Sequence, residues 1–291
     1  MLVTYLLLVV TAFFWGANFN LAVPVVAEMH PYVAGALRYL LAAAIMLSLT
    51  LFRGESVPLR HARSYIVLGI IGVFGFNLLF FLGMARTSAV NGALIMALNP
   101  LLTSLIAYAV IRERPHLRQW IGFPVGLAGV AVVVLGAGAE LHGALGDVFM
   151  LGACLSWAFY NVYVKKLTPP DTSGIASTAG IMSVGALALT AVALISGAPF
   201  VMPSLHAGAA LLIMAVGGGV LAYLFWNAGI AKIGAARASI FLNLVPVASM
   251  IIATLEGEPP TLVQLIGGAL VIGAVSFASW PVKSKGTAVP A

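Results

Sequence analysis

Charge and cysteine are what this sequence has least of. Only 8% of its 291 residues are Asp, Glu, Lys or Arg, whereas a soluble globular domain carries about a quarter. The single cysteine, Cys154, excludes an intrachain disulfide and any site built from several thiolates. Both shortages count against a soluble domain and against a thiolate metal centre.

Acidic groups and catalytic motifs are missing from the long apolar segments as well. No Asp or Glu falls deep within a segment, the five histidines lie in loops or at segment ends, and neither Gly-x-Ser-x-Gly nor His-Glu-x-x-His occurs. A membrane-embedded enzyme would need a nucleophile–base pair, buried carboxylates or a metal cluster. We therefore expect no buried carboxylate, no catalytic residue, no metal site and no cofactor, and a protein that is not an enzyme.

Apolar residues are what the sequence has in abundance. Hydrophobic residues make up 62% of the chain, and the mean hydropathy is +1.10. A helix needs about 20 apolar residues to cross the hydrocarbon core of a bilayer. Segments of that length recur at about 2–24, 31–52, 65–85, 88–111, 119–139, 146–166, 173–197, 207–230, 237–255 and 261–281. The sequence therefore predicts an all-α membrane protein with ten transmembrane helices.

The basic residues fall on one side of these ten segments. With the N-terminus in the cytoplasm, twelve of the fourteen Lys and Arg residues lie in cytoplasmic loops or tails. The loops on the other side carry Glu28, Glu140, Asp147, Glu256 and Glu258. Because cytoplasmic loops are enriched in Lys and Arg, both termini are predicted to be cytoplasmic, in the inner or plasma membrane of the cell. The net charge of +6 is scattered among short loops, so it does not indicate a nucleic-acid partner.

The two halves of the chain repeat one another. Pro100 is followed 146 residues later by Pro246, and Gln119 is followed 145 residues later by Gln264. Each half holds five predicted spans, and an odd number of spans places the second copy upside down in the membrane. We divide the chain into a first repeat at 1–140, a second, inverted repeat at 141–282 and a cytoplasmic tail at 283–291.

Several spans place an aromatic side chain and an amide on one helix face, three or four residues apart. Trp15 and Trp157 fall near the middle of their spans, where an interfacial aromatic belt does not lie, whereas Trp120 and Trp280 fit such a belt. Any single Asn is equally well explained by a hydrogen bond between helices, but the recurring set favours a polar, aromatic cavity. The predicted substrate-binding residues are Trp15, Asn18, Asn77, Phe80, Asn99, Trp157, Tyr160, Asn161, Tyr223, Asn227 and Asn243.

Prolines within three of the spans are candidate bending points. Pro100 and Pro246 occupy corresponding places in the two halves, and Pro24 lies in the first span. Because proline removes a backbone hydrogen bond and kinks a helix, we interpret Pro24, Pro100 and Pro246 as hinges.

Arg38 is the one basic residue placed well inside a span. It lies about 10 Å from the outer end of its helix at 1.5 Å per residue. Its side chain can snorkel to the lipid headgroups, tie the bundle together, or pair with a substrate carboxylate. At this stage we favour the structural tie and leave the other two readings open.

The order and spacing of short motifs resemble the drug/metabolite transporter superfamily, specifically its ten-helix EamA-type exporters, and are similar to YddG-like amino-acid exporters. The matching segments are Trp15-Gly16-Ala17-Asn18, Arg38-Tyr39, Thr87-Ser88-Ala89, Asn99-Pro100-Leu101 and the stretch from Glu113 through Gly122 and Gly129. The resemblance implies a basket of helices 1–4 and 6–9 around a central path, with helices 5 and 10 peripheral, and export of amino acids or related metabolites. The superfamily's small proton-coupled drug exporters carry a glutamate in helix 1, and this sequence has none there.

These observations predict a secondary transporter of small neutral or zwitterionic metabolites, with amino acids, including aromatic ones, leading. Nucleotide sugars and phosphorylated metabolites are the alternative solutes, but such anions call for several Lys or Arg in the cavity. Cationic drugs would favour a buried carboxylate. The expected partners are the solute and the lipid bilayer, and we expect the chain to act as a monomer.

Overall fold

A computed structural model describes residues 2–112, 115–136, 141–233 and 239–279. The described residues are helical throughout, apart from short turns, and contain no strand. Helices suit a bilayer because they satisfy their own backbone hydrogen bonds. The predictions that concern Glu113, Glu140, Trp280 and the tail 283–291 lie outside the described residues.

We number ten helical units α1 to α10 in chain order, and four of them are composite. The continuous helices are α1 (Leu2–Glu28), α2 (Pro31–Phe52), α5 (Leu117–Gly136), α6 (Leu141–Leu167), α7 (Gly174–Ile195) and α10 (Leu262–Ser279). Helix α3 comprises Leu59–His61, Ala62–Leu68, Gly69–Gly75 and Phe76–Met84, and α4 comprises Ala89–Met96 and Asn99–Ile111. Helix α8 comprises Leu205–Ile213, Met214–Leu221 and Ala222–Ile233, and α9 comprises Ser239–Asn243 and Leu244–Leu255.

Among the described residues, eight helices are long and apolar enough to cross a membrane, namely α1 to α8. Two shorter apolar helices, Phe241–Leu255 and Leu262–Ala278, correspond to the ninth and tenth predicted spans. The all-helical fold is therefore confirmed, and the length and hydropathy of its helices are consistent with a membrane protein. The inverted relation of the two halves and the cytoplasmic position of the termini stay predictions.

Two helices contain a widened, π-helical segment at corresponding places. The segment in α3 is Gly69–Gly75 and the segment in α8 is Met214–Leu221, so their starting residues are separated by the spacing of the sequence repeat. Such segments are rare and often mark functional sites. In α3, the carbonyl of Val73 accepts a hydrogen bond from the Asn77 amide at 2.8 Å. In α8, the carbonyl of Gly218 accepts one from the Trp15 indole at 3.1 Å.

The paired prolines lie where α4 and α9 change their winding. Helix α4 is interrupted by a turn at residues 97–98 and restarts at Asn99, with Pro100 in the first turn of the new segment. Helix α9 passes from a 3-10 turn to an α-helix at Leu244, just before Pro246. Proline is tolerated in the first turn of a helix because backbone N–H groups there have no acceptor within the helix.

Helix α1 lies at the centre of the bundle, against α4, α8 and α9, while α2 packs on α7 and α3 on α6. Helices α5 and α10 pack mainly on each other. Their axes come close at Gly129 and Gly267, because a Cβ at Gly267 would lie 2.7 Å from the Gly129 carbonyl oxygen.

Replacing Gly267 by Ala is expected to lower the stability of the bundle. The added methyl must push α5 and α10 apart, and overpacking of this kind costs about 1–3 kcal/mol. The measurement is the midpoint of thermal unfolding of the purified protein in detergent. Gly273→Ala is the matched control in the same helix, because no atom lies within 4 Å of a Cβ there. Equal midpoints for the two variants would contradict the close packing.

Candidate functional site

A central cavity lies at the middle of the bundle, between α1, α2, α3, α4, α6, α8 and α9. The space open to the centre of a water molecule is about 110 Å³, and one water needs roughly 10–15 Å³ by that measure. The cavity therefore has room for a small solute. Its lining residues are Trp15, Asn18, Phe19, Arg38, Tyr39, Phe76, Phe80, Met96, Ala97, Asn99, Pro100, Trp157, Gly218, Tyr223, Leu242, Asn243, Val245 and Pro246.

Seven of the predicted substrate-binding residues line this cavity, together with Arg38 and the prolines of α4 and α9. The seven are Trp15, Asn18, Phe80, Asn99, Trp157, Tyr223 and Asn243. Sequence reasoning missed Phe19, Tyr39 and Phe76. The signal for two of them was present, because Phe19 follows Trp15 by four residues and Phe76 precedes Phe80 by four, which puts each pair on one helix face.

Aromatic rings form one wall of the cavity from α1 to α6. The ring of Trp15 lies 5.4 Å from that of Trp226 and 6.0 Å from that of Tyr223. Tyr223 in turn lies 6.1 Å from Trp157, edge to face, and Trp157 stacks on Tyr160 at 4.8 Å. These separations are typical of favourable aromatic pairs, so each ring is oriented by its neighbour.

A second group of rings joins α1 to α3. Phe80 lies 5.6 Å from Phe19 and 5.7 Å from Phe76, and Phe76 lies 5.3 Å from Trp157. Phe80 is buried and Phe76 is half-buried. The aromatic walls suit a solute with an apolar body.

Two of the lining amides also hold helices together. The Asn99 amide nitrogen donates to the Cys154 carbonyl at 3.0 Å, and its oxygen accepts a hydrogen bond from the Asn161 amide at 2.8 Å. The Asn243 amide donates to the Ser276 hydroxyl of α10 at 3.1 Å. Asn99 therefore ties α4 to α6, and Asn243 ties α9 to α10.

Asn18 has a different environment. Its side chain is buried, and its oxygen has no hydrogen-bond partner. The amide packs on the π-helical segment of α8, where a Cβ at Gly218 would overlap it. Glycine at this position thus gives the Asn18 amide its place in the cavity wall.

Five predicted residues do not line the cavity. Asn77 is fully buried beneath Arg38, Tyr160 lies behind Trp157 against Gly72, and Asn161 supports Asn99. Asn227 is exposed on the surface of the bundle, and Pro24 lies inside α1 beyond the cavity.

Arg38 does not snorkel, so that reading of the sequence is wrong. Its side chain is only 3% exposed, and its Nη1 donates to the Asn77 oxygen at 3.2 Å. The centre of the guanidinium lies 5.4 Å from the Tyr39 ring and 5.9 Å from the Phe80 ring. Neighbouring helices cover the side chain, because Arg38 is on the face of α2 that points into the bundle.

The expectation that no carboxylate is buried is also wrong. Asp147, which we assigned to a loop, is only 5% exposed within α6. The turn between α3 and α4 covers it, and the hydroxyl of Thr87 donates to its carboxylate. Asp147 lies near the start of α6 and does not line the cavity. Within the described ranges, no three His, Cys, Asp or Glu side chains converge on one point.

Helices α1, α4 and α9 are in direct contact beside the cavity. A Cβ at Gly16 would lie 2.7 Å from that of Ala248, so α1 and α9 touch there. The Asn20 amide donates to the Ser249 carbonyl at 3.1 Å, and the Ser249 hydroxyl donates to the Ala89 carbonyl at 3.4 Å. These contacts of Gly16, Asn20 and Ser249 join α1, α4 and α9, and we refer to them as the seal.

Removing the Asn99 amide should destabilise the bundle, because the Asn161 amide then keeps only its longer hydrogen bond, to the Thr103 hydroxyl at 3.4 Å. We expect Asn99→Ala to cost about 1 kcal/mol, the usual size of a hydrogen bond between membrane helices. The thermal unfolding midpoint in detergent is the measurement. Asn227→Ala is the matched control, since the exposed Asn227 lies outside the cavity. If both variants unfold at the same temperature, the tie between α4 and α6 is not stabilising.

Sequence comparisons with known proteins identify relatives that are named transporters. The sequence profile of the EamA-like transporter family matches residues 2–135 and, a second time, residues 144–280. The chain is 40% identical over 284 residues to the uncharacterized transporter YyaM of Bacillus subtilis (strain 168), covering 94% of this chain and 93% of that protein. It is 25% identical over 266 residues to the uncharacterized inner membrane transporter YedA of Escherichia coli (strain K12), covering 90% and 85%.

One solved structure, described only as the crystal structure of a protein, shares the fold. Its TM-score is 0.66 at 24% sequence identity, and the match covers 94% of this chain and 95% of that one. At this identity the likeness concerns the fold alone.

Proposed function

The chain belongs to the EamA-like transporter family, and from that premise we propose that it carries small neutral or zwitterionic metabolites, amino acids first among them, by alternating access through the central cavity. As a member of this family it is a multi-pass membrane transporter. The main support for this class of solute is the lining of the cavity, which combines aromatic walls, a few amides and one cation.

The lining favours amino acids because it offers both apolar and polar contacts. The rings of Trp15, Trp157 and Tyr223 give an apolar solute a large contact area. Asn18 and Arg38 add hydrogen-bonding groups that orient a polar end. Aliphatic and aromatic amino acids combine these two properties.

Polyanionic and cationic solutes fit this lining less well. Nucleotide sugars and phosphorylated metabolites call for several basic residues, and Arg38 is the sole Lys or Arg that the described part of the chain places on the cavity. Cationic drugs favour a carboxylate, and no acid of the described part lines the cavity. These solutes remain the alternative within the transporter class.

Alternating access is supported by the seal at one end and by the irregular helices around the cavity. The π-helical segment of α8 includes the lining residue Gly218, and that of α3 ends next to the lining residue Phe76. The interruptions of α4 and α9 lie next to the lining residues Pro100 and Pro246. Local departures from α-helical winding are places where a helix can bend at small cost. The second match of the family profile and the paired π-helical segments both support an internal repeat.

The lopsided distribution of basic residues supports a cell-membrane protein with both termini in the cytoplasm. The relative YedA is named an inner membrane transporter, which agrees with this location. In that orientation the seal lies on the outer side, and we propose that it closes the cavity to the outside. We propose a monomer, since one chain supplies every wall of the cavity.

Transport by the purified protein in liposomes tests this proposal. We expect uptake of at least one member of a panel of radiolabelled amino acids, faster than in protein-free liposomes and saturable with concentration. The panel is run with and without a proton gradient, because uptake without a gradient indicates facilitated diffusion. Absence of uptake for every amino acid would reject amino acids as the solute class.

The Pro100 hinge generates a separate prediction. Pro100→Ala removes the ring that prevents α4 from winding continuously through the turn at residues 97–98. The two segments of α4 can then join into one stiffer helix, so we expect slower transport with solute affinity little changed. Initial rates of uptake over a range of concentrations give the two quantities. Pro124→Ala is the matched control, because Pro124 is inside the peripheral helix α5. Full-rate transport by Pro100→Ala would reject the hinge.

A further inference from the structure

The central cavity contains a positive charge, on Arg38, that no acid among the described residues balances. Arg38 has five N–H donors, and the hydrogen bond that binds it to another side chain is the one from Nη1 to Asn77. Its Nε is buried without a partner. In the described part of the chain, no carboxylate lies within ion-pair distance of Arg38.

A purely structural role explains this arrangement poorly. An arginine inside a membrane protein is costly unless it pairs with other groups or faces a cavity, and a tie between helices could be made by a neutral amide. Asn161 makes such a tie to Asn99 without any charge. The charge on Arg38 therefore calls for an anion that the described part of the chain does not supply.

The surroundings hold the guanidinium in place beside the cavity. The Asn77 nitrogen donates to the Val73 carbonyl at 2.8 Å, which leaves the Asn77 oxygen directed toward Arg38. The Phe80 ring covers the guanidinium at 5.9 Å and itself lines the cavity. Arg38 is thus oriented in advance, with donors left for a ligand, and Asn77 is the residue that positions it.

The same cavity offers a complementary acceptor. Asn18 lines the cavity, and its side-chain oxygen is buried without a hydrogen-bond partner. An ammonium group is a donor that such an oxygen can accept from. A cation and an unpaired acceptor on one small cavity match the two charged ends of an amino acid.

We infer that Arg38 is the carboxylate-binding residue of the transport site, so that the protein moves solutes that carry a carboxylate. This inference rests on the proposed transport of amino acids and deepens it. A carboxylate accepts two parallel hydrogen bonds from a guanidinium, and such paired bonds are stronger than neutral ones. The Asn18 oxygen then receives the ammonium group, and the aromatic walls contact the side chain.

Solutes that lack the carboxylate test the inference on the unaltered protein. The full chain in liposomes is given L-phenylalanine or L-leucine, and then their amides and their decarboxylated amines. We expect the amides and amines to be transported at least tenfold more slowly at low concentration, because hydrogen bonds to charged groups contribute roughly ten- to hundredfold. Transport of the amides as fast as the acids would overturn the role of Arg38 and leave the transporter proposal intact.

Variants of Arg38 provide a second test, the ratio of acid to amide transport rates. Loss of a purely structural arginine would not change this ratio. Arg38→Gln should lower the acid-to-amide ratio of transport rates by roughly tenfold or more, and Arg38→Lys should retain part of the preference. A merely structural arginine would lower both rates together and leave the ratio unchanged. Arg86→Gln is the matched control, since Arg86 caps the end of α3 outside the cavity and donates to the Leu82 carbonyl.

The remaining outcomes of these experiments also support or reject the role of Arg38. If the Arg38 variants do not fold, the comparison of acids with amides on the unaltered protein settles the inference alone. If neither acids nor analogues are transported, the proposed amino-acid function fails, and the inference fails with it. That result differs from equal transport of acids and amides, which rejects the inference only.

Discussion

The hydrocarbon core of a bilayer offers no hydrogen-bond partner, and the arrangement of this protein follows from that constraint. Backbone groups are satisfied by winding into helices, so the described chain is helical almost throughout. Where the winding changes, in α3 and α8, a side chain donates to a backbone carbonyl, from Asn77 to Val73 and from Trp15 to Gly218. The polar side chains inside the bundle must find partners from the protein, from water in the cavity or from the solute.

This constraint separates the buried polar residues into two groups. In the first, all partners come from the chain: Asn99 joins α6, and Asn20 contacts Ser249 in the seal. In the second, the chain leaves a group unpaired, as at Asn18 and Arg38. Asn99 and Asn20 set the positions of the helices, whereas Asn18 and Arg38 line the cavity, where a solute can complete their hydrogen bonds.

Sequence reasoning found the spans and most of the cavity wall, and its errors have a common cause. Trp15 and Trp157 were identified because their depth within long apolar segments is a local property. Asn227 has the same local pattern, an amide near an aromatic residue, yet it lies on the surface of the bundle. Asp147 was assigned to a loop, although the turn that contains Thr87 buries it. In both cases the decisive neighbour comes from a distant part of the chain.

The amino-acid sequence by itself determined that the protein is helical, resides in a membrane and resembles a transporter family. Hydropathy and short motifs depend only on residues that are close together along the chain. Only the tertiary structure decided which side of each helix faces inward. It placed Arg38 inside the bundle and next to the cavity, with no described acid to pair with, where the sequence left three readings open. The physical reason is that the burial of a side chain and its hydrogen-bond partners depend on contacts between helices. The sequence of a single span does not specify which helices pack against it.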